Sequence, residues 1–327
     1  MRSHEKTHIG STPPRTPRRP STITYAPTSS GIPTGESVTL ARAAEVFSAV
    51  QPRLFGIAYR MLGSAADAED IVQDVWIRWQ QYDRDSVREP AAFLATTTTR
   101  LAINVMQSAR ARHEAYVGPW LPEPVDTGMS PEIAAEREET LQIGALFLLE
   151  RLSPAERAAY VLREAFDYPY GQIAEIIDVT EANARQLVSR ARKHLATEKH
   201  PPVAPSEQRR FLEAFLKAAQ SGDVESLERL FSEDVVSYSD GGGVAQAARI
   251  PLIGRTRVSK FVSAVSEWFW DGVDVQWVQA NGRSALRLAV HGEVFALLTL
   301  SATTDGIDRL FWMMNPAKLD HILPVPE

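Results

Sequence analysis

Large apolar residues are scarce over residues 1 to 35 and then recur at three- and four-residue spacing. Phe47, Leu54, Phe55, Ala58, Tyr59 and Leu62 form one helical stripe that stops at Gly63-Ser64. Ala68, Ile71, Val72, Val75, Trp76 and Trp79 continue in a second helix. After the polar stretch Gln80 to Glu89, Pro90 opens a third, carrying Phe93, Leu94, Leu101, Ala102, Val105 and Met106. Gly118-Pro119, Pro122, Pro124, Gly128 and Pro131 interrupt the pattern, which returns at Thr140 and runs to about Ala196, broken at Ser153-Pro154, Pro169 and Asp178. Beyond 206 the character changes. Phe211, Leu212, Phe215, Leu216 and Ala219 predict a helix closed by Gly222; Val224, Leu227, Leu230 and Phe231 predict a short second one, and a third follows Gly254. Four β-rich runs come next, 273–280, 284–290, 293–301 and 307–314, with hairpin signals at Asn281-Gly282, His291-Gly292 and Asp305-Gly306. Helices followed by an antiparallel meander make an α+β pattern. The expected division is a disordered tail 1–38, a helical domain 39–113, a connector 114–139, a helical domain 140–200 and an α+β domain 206–321.

The chain has 327 residues and no cysteine, which excludes a disulfide scaffold, a cysteine nucleophile and thiolate metal sites. No apolar run approaches the roughly 18 residues of a membrane helix, and the N-terminal stretch has no apolar signal core, so the expectation is a cytoplasmic protein without membrane attachment. A net charge of −6 speaks against nucleic acid only if it is evenly spread. It is not: residues 114–139 hold seven acidic residues against the lone Arg137, and from 206 onward 16 acidic residues face 12 basic ones.

Two helices are locally positive. Between Thr180 and Lys199 five basic residues oppose Glu181 and Glu198. Ile173, Ala174 and Ile177 mark a short helix, Asp178-Val179 a tight turn, and Thr180 the N-cap of a second helix, in which Ala184, Leu187, Val188, Ala191 and Leu195 share one face. Arg185, Gln186, Ser189, Arg190, Arg192 and Lys193 lie on or beside the other, supplying the guanidinium, amide and ammonium groups that read base edges and phosphates. A solvated basic face is the plain alternative. In the first domain Arg100, Arg110 and Arg112 stand between Thr96 and His113 without an acidic residue, and Thr96 to Thr99, Asn104, Gln107 and Ser108 supply short polar groups suited to phosphates and bases. Asp67, Glu69, Asp70 and Asp74 line a rigid helix as a solvated face or as a dock for a basic protein.

The run 67–76 followed by Pro90 to Arg112 resembles region two of the extracytoplasmic-function sigma factors. Leu152-Ser153-Pro154-Ala155-Glu156-Arg157 through Ser189-Arg190-Ala191-Arg192 resembles their region four. Trp120-Leu121-Pro122-Glu123-Pro124, Asp240-Gly241-Gly242-Gly243 and Asn315-Pro316-Ala317-Lys318-Leu319 look like signatures of the group resembling sigma factor J, which carries a fused SnoaL-like domain. Val244 and Ala317 depart from that group's Lys and Asp, and Asp178 stands where many relatives have Gly; Asp tolerates a left-handed backbone.

The resemblance implies a multidomain fold: two all-α sigma domains, the region 2 bundle and the region 4 helix-turn-helix, plus a C-terminal α+β SnoaL-like cone. It implies a sigma factor that binds core RNA polymerase through Asp67, Glu69, Asp70, Gln73 and Asp74. Promoter DNA would be opened at minus-10 by Tyr82, Arg100, Asn104, Gln107, Ser108, Arg110 and Arg112, with Trp79 and Phe93 as core or stacking rings. The minus-35 element would be read by Thr180, Arg185, Gln186, Ser189, Arg190, Arg192 and Lys193. The acidic connector is expected to follow the basic RNA-exit channel or to be a tether, with Trp120 and Leu121 packed on a domain. Trp120 to Pro124, Asp240 to Gly243, Asn315, Pro316, Lys318 and Leu319 would be regulatory contacts. No enzyme activity, cofactor or metal is expected, His194 and His200 being isolated, and a separate anti-sigma partner is not required. A small ligand of the third domain stays open. So does the alternative of a SnoaL-type enzyme or ligand sensor with attached DNA-binding segments, for which Asp240, Asp274 and His291 are the acid/base candidates.

Overall fold

The computed structural model describes residues 35–114, 116–127, 141–196 and 203–319. Residues 1–34 of the expected tail 1–38, the acidic run 128–140 and His200 lie outside them, as do the side chains of Arg110, Arg112 and Glu114; residues 35–38, assigned to that tail, instead begin the first helix.

Three helices form the first module: α1 (Gly35–Leu62), α2 (Ala65–Gln81) and α3 (Pro90–Glu114). Ser64 caps α2 by accepting the Asp67 amide at 3.1 Å, and Pro90 opens α3, where the missing N–H costs nothing. Trp79 is core: it is buried, and its Nε1 donates to the Ala43 carbonyl at 3.2 Å. Four helices form the second: α4 (Ile143–Leu149), α5 (Pro154–Glu164), α6 (Tyr170–Ile177) and α7 (Glu181–Ala196). Asp178 turns α6 into α7 at φ 57°, ψ 57°, the left-handed geometry that an Asp accepts.

These two modules share one hydrophobic core rather than standing apart. Arg157 is buried between them, donating to the Met61 carbonyl at 2.8 Å and pairing with Glu150 at 2.6 Å. Arg53 donates to the Phe166 carbonyl at 3.1 Å, and its guanidinium and that of Arg60 lie 5.3 and 5.2 Å from the Phe166 ring.

The third module consists of α8 (Pro205–Ser221), α9 (Val224–Leu230), α10 (Arg255–Phe269) and one six-stranded sheet. Its strands are β1 (Phe231–Asp240), β2 (Leu252–Ile253), β3 (Val273–Ala280), β4 (Arg283–Val290), β5 (Glu293–Thr303) and β6 (Gly306–Met313), in the order β2-β1-β6-β5-β4-β3. The expected meander is present as β3 to β6, but β1 adds a parallel partner to β6, so the sheet is mixed. Phe231 opens that strand instead of closing a helix; Ser232, Glu233, Asp234, Ser237 and Ser239 dilute its apolar pattern. The β3–β4 and β4–β5 hairpins turn on Asn281-Gly282 and His291-Gly292, all four residues at positive φ. In the β5–β6 hairpin Thr303 pairs with Gly306, so the turn residues are Thr304 and Asp305, one position earlier than expected.

Strand alternation divides the sheet's faces. Leu286, Leu288, Leu298, Leu310 and Trp312 meet Phe215, Leu212 and Val258 from α8 and α10. Ala285, Leu297, Phe311 and Met313 meet Leu121 of the connector and Ile143 and Phe147 of α4. The second face is thus covered by the helical half of the chain.

The Ser153–Glu156 capping box starts α5 and reaches α7. Burial alone would raise the Glu156 carboxyl; hydrogen bonds from the Ser153 hydroxyl and amide outweigh it, with His194 and Arg190 adding, and leave it below its ordinary value. Its contribution to stability is therefore complete above the unfolded carboxyl's range and lost as pH falls through the folded value. Glu156→Gln should lower the thermal midpoint at pH 7, with the gap to wild type closing in melts taken toward pH 3. A gap independent of pH would disprove the ionic part of this cap.

Candidate nucleic-acid interface

Helix α7 buries Ala184, Leu187, Val188, Ala191 and Leu195 and exposes Arg185, Gln186, Ser189, Arg190, Arg192 and Lys193. Thr180 caps it, accepting the Asn183 amide at 3.2 Å. The arginines are held by neighbouring carboxylates: Arg185 by Glu181, Arg190 by Glu156 at 3.3 Å and Arg192 by Glu164 at 2.6 Å. The Arg185 guanidinium also lies 4.5 Å from the Tyr170 ring centroid. Exposed pairs of this kind are worth about 0–1 kcal/mol, so a phosphate or a guanine edge competes with them readily. They keep the forks extended along the face that the sequence marks for base reading.

On α2, Glu69, Asp70, Gln73 and Asp74 are exposed and Asp67 is half-buried in the first turn. Asn104, Gln107 and Ser108 are exposed on α3, and the exposed Tyr82 ring rests 4.5 Å from that of Phe93. Of Thr96 to Thr99, expected as short polar groups for phosphates and bases, the last two are withdrawn from the surface and the first two are half-buried. Each hydroxyl donates to the carbonyl four residues back, at 2.8 to 2.9 Å, and Thr98 and Thr99 are buried, so these groups face their own helix. Arg100 donates to the Ile176 and Glu175 carbonyls at 2.9 and 3.0 Å, which fastens α3 to the C-terminal end of α6, the first helix of the helix-turn-helix.

The signature segments of the connector, the β1 end and the chain's last turn converge on Asp240, a carboxylate with 0% exposure. Its Oδ2 accepts Lys318 Nζ at 2.7 Å and the Leu121 amide at 2.9 Å. Its Oδ1 accepts the Tyr116 hydroxyl at 2.5 Å and the Gly242 amide at 3.2 Å. Lys318 also donates to the Leu121 carbonyl at 2.5 Å and sits 4.1 Å from the Trp120 ring centroid. Asn315 donates to the Tyr116 oxygen at 2.8 Å. Gly242, at φ 61°, lies so close to Asn315 that a Cβ would come within 2.5 Å of its amide. Burial, then the bond to Asp240, raises the Tyr116 hydroxyl; burial lowers Lys318, against the opposing charge of Asp240. Val244 and Ala317, where the chain departs from the group's pattern, are exposed.

The connector continues as a strap. Leu121 is fully buried, and Trp120 lies over Gly63, where a Cβ would come 2.7 Å from its ring. Glu123 accepts the Ala65 and Ala66 amides at 2.6 and 3.2 Å, so its carboxylate caps α2, which takes it out of the acidic set expected to follow a basic channel or to lie in a solvated tether. The buried Tyr59 hydroxyl donates to the Glu123 carbonyl at 2.5 Å and accepts Asn281 Nδ2 at 2.7 Å. Asn281 also donates to the Leu141 carbonyl at 3.0 Å, and its Oδ1 accepts the Val125 amide at 3.0 Å. Burial drives the Tyr59 hydroxyl upward, with the Asn281 bond opposing. Tyr59, Tyr116 and Asn281 carry no sequence signal beyond helix, linker and turn. Of the acid/base candidates, Asp240 is committed to Lys318, while Asp274 and His291 are exposed and are not brought to it. Among the described residues no His, Cys, Asp or Glu group could hold a metal ion, and no helix is long and apolar enough to cross a membrane.

Sigma-70 region 2 matches residues 46–112 and Sigma-70 region 4 matches residues 145–195. The ECF RNA polymerase sigma factor SigJ of Mycobacterium tuberculosis is 36% identical over 270 residues, covering 80% of this chain and 82% of the relative. A probable ECF RNA polymerase sigma factor, SigI, of the same species is 27% identical over 273 residues, 82% of this chain and 91% of its own. The crystal structure of M. tuberculosis SigJ superposes with a TM-score of 0.69 at 28% identity, covering 85% of this chain and 98% of that one, the helix-and-sheet third module included. With both sigma regions in order and the fused module behind them, the chain belongs to the extracytoplasmic-function RNA polymerase sigma factors.

Proposed function

We propose that this chain joins core RNA polymerase through the exposed carboxylates of α2, reads the minus-35 element with α7 and opens the minus-10 element with α3 and Tyr82, while the third module acts as a clamp on both helical modules. The observation that carries the reading is the pairing of an acidic protein-docking face on α2 with an exposed Arg-Gln-Ser-Lys face on α7 in one chain. An ordinary helix-turn-helix regulator has no use for the first of these. The domain boundaries proposed are those of the sequence pattern, with the connector doing structural duty as a strap.

Promoter engagement requires the clamp to open. Elements named minus-35 and minus-10 lie ~25 base pairs apart, hence ~85 Å at 3.4 Å per pair, whereas α3 touches α6 through Arg100. The form described is therefore a closed state, and the fused module stands where other systems use a separate anti-sigma protein. Catalysis is not part of the proposal: the sheet face that would line a cone's pocket is covered by Leu121, Ile143 and Phe147. We place the protein in the cytoplasm, where its polymerase is.

Run-off transcription with core polymerase and a cognate promoter should depend on Asp70 and Asp74; DNA binding by the free chain without any association with core would sink the sigma reading. Arg185→Ala and Gln186→Ala should each relax discrimination at one base pair by about 1–3 kcal/mol, and Lys193→Ala should weaken all sequences and flatten the salt dependence. A uniform loss in all three would remove α7's base readers. Lys318→Met leaves Asp240 buried without its cation, a change that costs roughly 3–5 kcal/mol, and should loosen the clamp; Asp240→Leu combined with Lys318→Met should cost less than either alone. Equal transcription by clamp variants and wild type, with the clamp shown open by protease accessibility of residues 116–127, would refute the regulatory role.

A further inference from the structure

The outer face of α10 is apolar where neighbouring helices are not. Trp268 is 65% and Phe261 43% exposed, Ala264 lies exposed between them and Val265 is half-buried beside it. Spacing of three, four and seven residues puts all four on one stripe, since a helix turns about 100° per residue. Ile253 and Ile250, 62% and 63% exposed, precede the helix at its N-terminal end. Scattered surface apolar residues are ordinary, but a stripe built on two exposed aromatics marks a contact surface.

The charges along this stripe are ordered. Arg257 and Lys260 occupy its N-terminal half; Glu267 and, just past the helix end, Asp271 occupy its C-terminal half, and all four are exposed. On α8 and α9 exposed charges pair within the helix, Arg209 with Glu213 and Arg229 with Glu225, whereas none of these four has an ion pair among the described residues.

We propose that this face binds a second copy of the same chain, α10 against α10 in antiparallel orientation about a two-fold axis. The stripe is complementary to its own reverse. An axis crossing midway between Ala264 and Val265 sets Phe261 level with the partner's Trp268, and Trp268 level with the partner's Phe261. In a two-fold antiparallel pair the same flank of both helices faces the same side, and at about 1.5 Å rise per residue Lys260 comes within about 3 Å axially of the partner's Glu267. Arg257 meets the partner's Asp271 in the same way. Ala264, small and central, lets the two backbones approach. A parallel pairing would set like charges against each other, and an acidic or a basic foreign partner would satisfy only half of the stripe. Helix α10 packs on the sheet face opposite the one that the connector and α4 cover, and the dimer contact draws on no residue of α2 or α7.

Sedimentation equilibrium of the full chain at low salt should give a species of twice the chain mass that dissociates on dilution. Trp268→Ser should weaken the dissociation constant by about 30-fold or more while circular dichroism and thermal midpoint stay at wild-type values. Lys260→Glu should weaken it as well, and Lys260→Glu with Glu267→Lys should restore it, since the reversed pair is again complementary. A chain that stays monomeric at all concentrations overturns the proposal. So does a dimer indifferent to Trp268→Ser, a charge reversal that fails to restore association, or a dimer abolished by deleting residues 1–34, which would assign the contact to that segment.

Discussion

A carboxylate removed from water must gather hydrogen-bond donors and a cation or be neutralised, and the path of this chain follows from how Asp240 meets that demand. Its donors come from three segments far apart in sequence: Tyr116 and Leu121 from the connector, Gly242 from its own loop and Lys318 from the chain's last turn. Removing any one leaves part of a buried charge unsatisfied, so the segments are positioned together or not at all. With Leu121 fixed by both its amide and its carbonyl, Trp120 must lie over Gly63 and Glu123 must reach the first turn of α2. A buried ion pair of this kind adds little net stability compared with an apolar replacement; what it contributes is a unique register for the connector.

That register decides what the third module can be. Once the strap is seated, Asn281 closes the other end by bonding Tyr59 of α1, the Leu141 carbonyl ahead of α4 and both polar groups of Val125. Ile143, Phe147 and Leu121 are then pressed onto the odd-numbered face of β6 at Phe311 and Met313. A sheet that in isolation would present an apolar cup instead forms a core of its own with α4 and the connector, beside the core of the helical half. The module therefore behaves as a wall of a larger body, and any ligand reaching that face would first have to displace α4.

Much of this was legible from the residues. Helical periodicity marked all ten helices, α1 to α10, and Asp178 sat where a left-handed turn was needed. The connector's Trp120 and Leu121 were too apolar to stay in solvent, and they do not. The failures have physical causes. β1 is polar at six of its ten positions because its pairing with β6, not its own pattern, holds it in the sheet. Asn281 reads as a type I′ turn residue and is one, so nothing local distinguishes it from a solvent-facing turn; its burial depends on a strap more than 150 positions earlier in the chain. Thr96 to Thr99 look like phosphate ligands in composition, but a hydroxyl in mid-helix finds the carbonyl one turn back before it finds a ligand.

In the proposed function, the contacts that α3 and α7 make with their own chain would let a net-negative protein carry DNA-reading helices without binding DNA indiscriminately. Each arginine on α7 rests on a carboxylate of its own chain, Arg190 and Arg192 on α5 and Arg185 on its own first turn. Arg100 is turned away to the end of α6. The individual contacts are weak, so together they set a threshold rather than a block: a random phosphate displaces one pair for about what it gains, whereas a site engaging several groups at once gains more than it displaces. The buried contacts behind them, Arg157 to Met61 and Asp240 to Lys318, are of a different order and would yield only to a partner that binds an open form better than this one. In the proposed function, selectivity for promoter over bulk DNA would then arise from the ranking of these two classes of contact, with the polymerase acting on the buried class and the promoter sequence on the exposed one.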